Sequence, residues 1–405
     1  FLMQRMDLDS YDSLIPGGRY HNKKDYIKFP NIGDKKLDFD EFPAMQHPDL
    51  DMDRSILNVI RKKDVLLFMP YHSFSYLIRT LREAAIDPNV VSIQTTLYRL
   101  ADKSRVISAL VNAAKNGKQV TVVIELRARF DEENNIAWSK RMTDAGIKVI
   151  LGNPSIKIHS KLCIVTREER GKVRHYSHFG TGNFNEKTAR IYTDFSLFTC
   201  NEELALEGIE VFEMIQNPYR KYRFNHLQVS PINTRSKIQS LIRQEIQRKT
   251  EGNKAGITIK LNNLVDQELI DDLYRASQAG VQIRMICRGM CSLIPGVKGM
   301  SENIQVISIV DRFLEHARVF IFGNDGKEKV YISSADWMVR NLHHRIETMF
   351  PIFDEDLKYF VKTIIRIQTD DNVKARSLAH QDVNKYKPTK GIAIRSQFDT
   401  YYFIN

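Results

Sequence analysis

Residues 156–162 have the sequence IKIHSKL, and residues 313–319 have the sequence FLEHARV. In each stretch a histidine precedes an apolar run, and a basic residue stands two positions after the histidine. Side chains two positions apart point to the same face of an extended strand. Both stretches therefore predict a strand whose beginning carries an imidazole next to a positive charge.

The sequence around the two stretches repeats as well. Arg99 precedes a predicted helix that ends at Gly117, and Asn262 precedes a predicted helix that ends at Gly280. The separation is 18 positions in both cases, and an apolar run follows each glycine. This agreement predicts that the chain contains two copies of one helix–strand unit.

A polar turn of small residues follows each histidine stretch, GTGN at 180–183 and SSAD at 333–336. Apolar runs alternate with helical stretches along most of the chain, which is typical of α/β folds. We therefore predict two α/β domains with mixed, largely parallel sheets flanked by helices and related by an internal repeat. We place the domains at 46–226 and 227–405, and we interpret 1–45 as the remnant of an upstream helical domain and its linker.

The composition excludes several classes of protein. The longest apolar runs of the 405 residues, at 64–71 and 119–126, are much shorter than the roughly 20 residues of a membrane-spanning helix. Four cysteines are too few for a disulfide scaffold, and the spacing of Cys287 and Cys291 does not fit a zinc knuckle. We expect reduced thiols and a cytoplasmic protein.

The charge favours polyanionic partners. Sixty basic and 49 acidic residues give a formal net charge of +11, which attracts nucleic acid, polyphosphate, phospholipid surfaces and nucleotides alike. Charge alone does not choose among them. The sequence begins at Phe1 without the apolar series of a secretory signal, and we interpret it as a fragment of a longer chain.

The residues near the first histidine suit phosphoryl chemistry. A neutral imidazole is a good nucleophile, so His159 can attack phosphorus while Lys161 neutralises the phosphoryl oxygens. Asn183, in the small-residue turn, supplies a further donor. In the second copy Arg318 replaces the lysine, and a guanidinium can bind phosphate through two parallel hydrogen bonds. This asymmetry predicts divided labour, with one histidine as nucleophile and the other, His316, as general acid or base.

Arginines recur where predicted strands end. Arg99, Arg127, Arg129 and Arg288 each follow an apolar run. Ligand sites of α/β sheets form at such ends, and clustered guanidinium groups are unfavourable without an anion between them. The chain contains no Walker lysine loop, dinucleotide glycine loop or kinase catalytic set, so phosphoryl chemistry would use another scaffold.

Several long stretches resemble the bacterial type 1 polyphosphate kinases of the phospholipase D superfamily. The resemblance covers nearly the whole chain, and the matching stretches are 11–22 (YDSLIPGGRYHN), 97–99, 122–133 (VVIELRARFDEE), 156–162, 180–194 (GTGNFNEKTARIYTD), 256–265 (GITIKLNNLV), 288–295 (RGMCSLIP) and 310–340. It implies two phospholipase D-like α/β domains that form the C-terminal catalytic portion of such a kinase.

The activity implied by the resemblance is reversible transfer of the terminal phosphate of ATP to inorganic polyphosphate through a phosphohistidine, with Mg²⁺. The resemblance assigns the phosphorylated histidine to His159 and the second catalytic histidine to His316. It implies contacts to the nucleotide phosphates by Tyr192, Arg288 and His316, and contacts to the Mg²⁺–phosphate cluster by Arg99 and Arg129. Because arginine has no lone pair for a cation, we expect Arg99 and Arg129 to contact the phosphates that hold the metal.

The expected partners are inorganic polyphosphate and ATP or ADP, with no specific nucleic acid. We also expect association with membrane surfaces and a homo-oligomer of the full-length protein. The superfamily places an aspartate five positions after the motif lysine, but Thr166 stands there, so the acid that orients His159 must come from elsewhere.

Two alternatives to the kinase stay open. One is a phospholipase D-like phosphodiesterase or nuclease, which would favour a second lysine over Arg318. The other is a catalytically silent module that binds polyanions.

Overall fold

A computed structural model gives the structure of the chain. It describes residues 32–405 except 35, 37, 52, 102, 126–131, 153–155, 380–382 and 390, and before residue 32 it describes only residues 5, 7 and 9. The chain divides into two compact units, Phe1–Glu41 and Phe42–Asn405. In the first unit, the Asp34 carboxylate accepts a hydrogen bond from the backbone of Lys36 at 3.0 Å. The predicted remnant at 1–45 falls largely outside the described residues.

The second unit alternates strands and helices. The strands of its first half are β1 (Val65–Met69), β2 (Val90–Leu97), β3 (Gln119–Ile124), β4 (Lys148–Leu151), β5 (Lys157–Ile158), β6 (Lys161–Glu169), β7 (Lys172–Gly180) and β8 (Tyr192–Thr199). The helices of this half are α1 (Ile56–Ile60), α2 (Ser75–Ile86), α3 (Arg105–Lys115), α4 (Glu132–Asp144) and α5 (Glu202–Gln216).

The second half has the same alternation. Its strands are β9 (Gln228–Ser230), β10 (Gly256–Leu261), β11 (Gln282–Cys287), β12 (Ile304–Ile309), β13 (Leu314–Glu315), β14 (Arg318–Phe322), β15 (Lys329–Ser333), β16 (Arg345–Pro351), β17 (Ala375–Leu378) and β18 (Val383–Tyr386). Its helices are α6 (Thr234–Thr250), α7 (Gln267–Gln278), α8 (Val339–His343), α9 (Glu355–Asp370) and α10 (Ser396–Ile404).

The repeated helix and strand form as the sequence predicts. The side chains of Ser104 and Asp266 cap α3 and α7 by accepting a hydrogen bond from the backbone of the first turn. After each helix a glycine with a positive φ, Gly117 at 79° and Gly280 at 87°, turns the chain into the next strand. Strands β3 and β11 then lie parallel to β2 and β10. The sequence repeat is therefore a structural repeat.

Each half builds one mixed sheet. The strand order of the first is β1-β8-β7-β6-β2-β3-β4, and that of the second is β18-β17-β12-β11-β10-β14-β15-β16. Strands β2, β3 and β4 are parallel neighbours, as are β10, β11 and β12, whereas the other neighbours along these two paths are antiparallel.

The predicted α/β class with two mixed sheets and flanking helices is confirmed. The expectation that the sheets are largely parallel is wrong. Connections as short as those of the hairpins β6-β7 and β14-β15 can join only antiparallel strands, whereas the expectation rested on the helix-connected strands alone.

Two short strands cross from one half to the sheet of the other. Strand β5 of the first half lies parallel to β16 in the second sheet, where Ile158 pairs with Ile346. Strand β13 of the second half lies parallel to β8 in the first sheet. His159 and His316 directly follow these two strands. Each histidine is therefore positioned by pairing with the opposite half.

A shared hydrophobic core joins the two sheets. Phe68, Phe179 and Phe195 of the first half and Phe350 of the second belong to one buried cluster, in which the rings of Phe179 and Phe350 are 5.5 Å apart. Burying each such ring stabilises the fold by roughly 1.5–3 kcal/mol. The domain boundaries predicted at 46–226 and 227–405 stay a prediction. Within the described residues, none of the helices has the length and apolarity needed to cross a membrane.

A buried ion pair anchors the crossing strand β13. The carboxylate of Glu315, which is 2% exposed, binds the ammonium group of Lys260 on β10. It also accepts hydrogen bonds from Thr193 of β8 at 3.1 Å, Gln368 of α9 at 3.0 Å and Gln397 of α10 at 2.7 Å. A carboxylate so far from water needs these partners, because an unpaired buried charge is costly.

Replacing Lys260 with methionine should lower the free energy of unfolding by about 3–5 kcal/mol, because Glu315 would stay buried without its cation. Replacing Glu315 with glutamine in the same chain should recover most of this loss. Urea denaturation followed by circular dichroism measures both effects. Lys358→Met is the control, since its partner Glu355 is 84% exposed, and it should cost less than about 1 kcal/mol. An equal loss in Lys260→Met and in the control would contradict this prediction.

Candidate active site

His159 lies at the end of β5 and is held by the opposite half of the chain. Its Nδ1 is 2.8 Å from Oε2 of Glu347 on β16, and its backbone N–H donates to the carbonyl of Ile346 at 2.9 Å. Burial lowers the pKa of His159 to about 3, although Glu347 acts in the opposite direction. The ring is therefore neutral near pH 7. Since a carboxylate only accepts, Nδ1 carries the proton and Nε2 carries the lone pair.

Lys161 is the first residue of β6 and is almost completely buried. Its ammonium group donates to the carbonyl of His159. Burial lowers the pKa of Lys161 to about 7, while Glu347 raises it. The ring centre of Tyr98 is 5.4 Å from this ammonium group and 5.0 Å from the centre of the His159 ring, which it meets edge-on. The ammonium group of Lys161 therefore bonds to the backbone of His159 and not to its imidazole, and Tyr98 packs against both residues.

His316 follows β13 and has a matching environment. Its Nδ1 is 2.7 Å from Oδ1 of Asp194 on β8, and its ring centre is 5.1 Å from that of Tyr192. Burial lowers the pKa of His316 below its ordinary value, while Asp194 raises it. Nε2 of His316 accepts a hydrogen bond from Arg318 at 3.3 Å. In the described part of the chain, Nε2 of His159 has no such donor. The lone pair of His159 is therefore available to react, whereas that of His316 already accepts a hydrogen bond.

A hydroxyl group in each small-residue turn positions each acid. Thr181 donates to Asp194, and Ser334 donates to Glu347, with a separation of 13 positions in both cases. Burial is the largest single influence and raises the pKa of both carboxyl groups, but the partner histidines and the nearby cations together lower both values below the ordinary range. A Cβ on Gly182 would lie 2.7 Å from an oxygen of Asp194, so only glycine fits at this point of the turn.

Two guanidinium groups lie beside the second histidine. Arg318 donates through Nε and Nη2 to the carboxylate of Asp336 at 3.2 and 3.4 Å. Burial raises the pKa of Asp336, but Arg318 and the hydrogen bonds from Asn262 and Asn263 together outweigh burial, and the pKa is about 2. Arg288, which follows β11, donates through Nε to the side chain of Asn262 at 2.6 Å. Burial and the charge of Arg318 lower the pKa of Arg288, so an anion placed between the two would be stabilising.

We define the first cluster by His159, Lys161 and Glu347 and the second cluster by His316, Asp194 and Arg318. The clusters are neighbours, because the charges of Arg318 and Asp194 act on Lys161. Arg345 on β16 adds a further cation to the first cluster, 3.8 Å from Glu347. Each imidazole therefore has an acid at Nδ1 and a cation nearby, an arrangement that suits a ligand with several negative oxygens.

The other predicted site residues have varied surroundings. Asn183 is half-buried in the turn after β7, and within the described residues its Oδ1 is buried without a hydrogen-bond partner. Arg99 follows β2, and its guanidinium is 5.7 Å from the ring centre of Tyr98. Arg129, like Arg127, lies outside the described residues. The structure thus brings Arg99 next to the first cluster through Tyr98.

Sequence reasoning did not name the two acids or Arg345. Glu347 takes the role for which the resembled pattern offers only Thr166, and it comes from the other half of the chain. The equal spacing from hydroxyl to acid, 13 positions in each half, extends the internal repeat and could have identified both Asp194 and Glu347.

The described residues do not by themselves form a Mg²⁺ site. Among them, no group of three or more histidine, cysteine or acidic side chains is arranged to hold a metal ion. The carboxylates of Asp194, Glu347 and Asp336 are already bonded to a histidine or an arginine. Mg²⁺ often binds through one or two carboxylates and the phosphates of a substrate, so the contacts expected of Arg99 and Arg129 stay a prediction.

The chain matches two models of known domains. Residues 55–221 match polyphosphate kinase C-terminal domain 1, and residues 227–397 match polyphosphate kinase C-terminal domain 2. Polyphosphate kinase of Vibrio cholerae serotype O1 is 52% identical to this chain over all 405 residues, and the matched region is 58% of the length of that relative. Polyphosphate kinase of Escherichia coli K12 is 49% identical over the whole chain, which covers 59% of that relative. The chain therefore spans somewhat more than half the length of these relatives.

Solved structures give the same result. The crystal structure of polyphosphate kinase from Porphyromonas gingivalis has a TM-score of 0.88 and 38% identity, covering all of this chain and 62% of that one. Phosphatidylserine synthase from Haemophilus influenzae, with a TM-score of 0.55 and 9% identity over 79% of this chain and 89% of that one, shares the fold alone. With both C-terminal domain models matched in sequence and the fold matched over its full length, the chain belongs to the polyphosphate kinase family.

Proposed function

We propose that this chain carries the catalytic part of a kinase that transfers the terminal phosphate of ATP reversibly to inorganic polyphosphate through a phosphohistidine at His159. One observation carries the proposal: a buried, neutral imidazole has its Nδ1 on the acid Glu347, which leaves the lone pair on Nε2, and the cation Lys161 is bonded to the backbone carbonyl of the same histidine. Family membership and the names of the relatives support the same reaction and substrates.

In the first step, Nε2 of His159 attacks the terminal phosphorus of ATP. A nitrogen–phosphorus bond forms, the bond from this phosphorus to the bridging oxygen breaks, and ADP leaves with the electron pair. The ring gains positive charge, which Glu347 stabilises through the hydrogen bond at Nδ1, while Lys161 neutralises the phosphoryl oxygens.

In the second step, a terminal oxygen of polyphosphate attacks the same phosphorus. The nitrogen–phosphorus bond breaks, the imidazole leaves as a neutral ring, and the polymer gains one phosphate. Both steps displace one oxygen or nitrogen from phosphorus in line with the attacking atom, so positioning and charge neutralisation supply most of the catalysis.

The second cluster binds the nucleotide phosphates in this proposal. His316 and Arg318 are already hydrogen-bonded to each other, and Arg288 and Tyr192 lie beside them. A guanidinium fork matches phosphate oxygens. The attacking and leaving groups are ionised phosphates, so His316 serves mainly to hold them, and proton transfer by His316 stays a prediction.

ATP would bring Mg²⁺ to the site on its phosphates, with Arg99 and Arg129 in contact with those phosphates. Within this proposal inorganic polyphosphate and ATP or ADP are the substrates. A homo-oligomer and binding to membrane surfaces stay predictions from the sequence.

The near-symmetry of the two histidine–acid pairs favours a second candidate, a phosphodiesterase of the phospholipase D type. It would use the same histidine as nucleophile but pass the product to water. Against this candidate, the second motif carries Arg318, which is bound to both His316 and Asp336, where a symmetric pair of His-x-Lys motifs would carry a lysine.

His159→Gln should abolish phosphorylation of the protein. The purified chain is incubated with γ-³²P-labelled ATP and Mg²⁺, and so is a chimera in which the N-terminal part of the Vibrio cholerae relative precedes it. We expect acid-labile, base-stable label on the protein and conversion of ATP to long acid-insoluble chains. Both should fall below about 1% in His159→Gln, because glutamine offers no nucleophile.

His226→Gln is the matched control, since this histidine is partly exposed and its Nε2 lies 3.1 Å from the exposed carboxylate of Glu203. It should leave the label unchanged. Label that persists in His159→Gln would remove the proposed nucleophile. Release of inorganic phosphate without chain growth would favour the phosphodiesterase. Complete absence of label and turnover in both the chain and the chimera would favour a silent polyanion-binding module.

The imidazole of His159 should stay neutral between pH 5 and pH 8, since its pKa is lowered to about 3. Histidines carrying ¹³C at Cε1 report this through their chemical shifts, and the His159 signal is assigned by its loss in His159→Gln. Free histidine in the same sample should titrate with an ordinary midpoint near 6.5. A midpoint for His159 above about 5 would show that the ring is protonated too readily for the proposed role.

Lys161 should give the rate a dependence on pH. Its pKa of about 7 means that the free enzyme loses this positive charge as the pH rises, so kcat/KM should fall above pH 7. Lys161→Arg should remove this decline, because a guanidinium stays protonated. Lys161→Met should lower kcat/KM by about 10²–10³-fold below pH 7, where the wild-type lysine is charged, and by less at higher pH. Identical pH profiles for the wild type and Lys161→Arg would contradict the assignment.

A further inference from the structure

We propose that a second anion-binding site lies between α9 and the second sheet, away from both histidine clusters, and that it takes a small molecule containing linked phosphates. The site is a cavity of about 330 Å³. The lining residues that matter here are Thr258, Arg284, Tyr359, Lys362, Thr363 and Arg366.

Three neighbouring strands form the floor of the cavity. Thr258 on β10 is in register with Arg284 on β11 and with Ile321 on β14. Residues in register on adjacent strands point to the same face of a sheet. The floor therefore presents a hydroxyl group next to a guanidinium.

One face of α9 forms the wall. Tyr359, Lys362, Thr363 and Arg366 have the spacing i, i+3, i+4 and i+7, which places them along one side of a helix. Tyr359 is 62% exposed, whereas Thr363 is 6% exposed. The wall thus combines two cations and a hydroxyl group with an aromatic ring that is open to a ligand.

The lining has an excess of positive charge. Arg284, Lys362 and Arg366 face one carboxylate, Glu328, which is bound to Lys362 at 2.9 Å. Within the described residues, neither arginine has an ion-pair partner. One guanidinium group on the floor of the cavity and one on its wall, together with the hydroxyl groups of the lining, match the oxygens of phosphate.

The chemistry of the lining identifies the class of ligand. Linked phosphates satisfy the arginines and hydroxyl groups, and they occur both in nucleotides and in short inorganic polyphosphates. The exposed ring of Tyr359 offers a stacking surface that only a nucleotide base would use. The cavity volume is large enough for either.

The site is connected to the second cluster. Lys260 is two residues from Thr258 on β10, and Gln368 is two residues from Arg366 on α9. The side chains of Lys260 and Gln368 bind each other and the carboxylate of Glu315, which precedes His316. A ligand in the cavity therefore contacts β10 and α9, which hold the buried ion pair of Lys260 and Glu315. Through this ion pair the ligand acts on the position of His316.

Equilibrium dialysis with ³²P-labelled tripolyphosphate and with labelled ADP tests the site without any use of catalysis. The wild-type chain should bind two molecules, and Arg284→Gln/Arg366→Gln should bind one of them at least tenfold more weakly. Arg82→Gln/Arg243→Gln is the matched control, since it removes two exposed arginines from α2 and α6 and should leave both sites intact. Equal weakening in both double variants would overturn the proposal, as would two unchanged sites in Arg284→Gln/Arg366→Gln.

Tyr359→Ala distinguishes the two sources of phosphate. Weaker binding of ADP at the second site with unchanged tripolyphosphate would identify a nucleotide site, whereas no change for either ligand would identify inorganic phosphates as the occupant. The connection to His316 is tested by the rate of polyphosphate synthesis and rests on the proposed function. The basal rate of Arg284→Gln/Arg366→Gln should equal that of wild type, and its response to added tripolyphosphate should be lost. An equal response in both would disprove the connection while leaving the binding result valid.

Discussion

Each of the two histidines depends on a carboxylate that the other half of the chain supplies. Glu347 of the second half holds His159, and Asp194 of the first half holds His316. The crossing strands β5 and β13 make this possible, because each carries a histidine into the opposite sheet. The common core around Phe179 and Phe350 then keeps both crossing strands in place. A change in the relative position of the two sheets would disturb both histidine–acid pairs at once.

Burial strengthens these contacts, and it also requires that every charged group has a partner. Removing charges from water costs several kcal/mol for each ion unless partners with good geometry are supplied. The clusters meet this demand with hydroxyl groups at Thr181 and Ser334, with Arg318 on Asp336, and with Lys260 on Glu315. The same low-dielectric surroundings keep the imidazoles neutral and strengthen their interaction with an incoming phosphate. Groups that are fixed beforehand need little rearrangement when negative charge arrives.

The sequence predicted the local features well. The helix, glycine and strand after Arg99 and Asn262 form in both halves, because they depend on capping residues and periodicity within about twenty positions. Lys161 begins a strand as predicted, whereas His159 precedes that strand and is bonded to Lys161 through its backbone carbonyl. The excess of antiparallel neighbours was not foreseen, since the hairpins β6-β7 and β14-β15 were not distinguished from helix-connected strands. The acids were missed because their contacts with the histidines join residues 122 and 188 positions apart, and because the 13-position spacing from each turn hydroxyl to each acid was not recognised as part of the repeat.

Because β5 and β13 cross between the two halves, the histidine–acid pairs can form only late in the synthesis of the chain. His159 leaves the ribosome 188 residues before Glu347. At roughly 5–20 residues per second this delay is about 10–40 s, long enough for the first sheet to fold alone. During that interval Asp194 lacks its imidazole until His316 has been made, and His159 lacks the acid that sets its tautomer. A nascent first half is therefore chemically incomplete, and the last stages of translation assemble both histidine–acid pairs together.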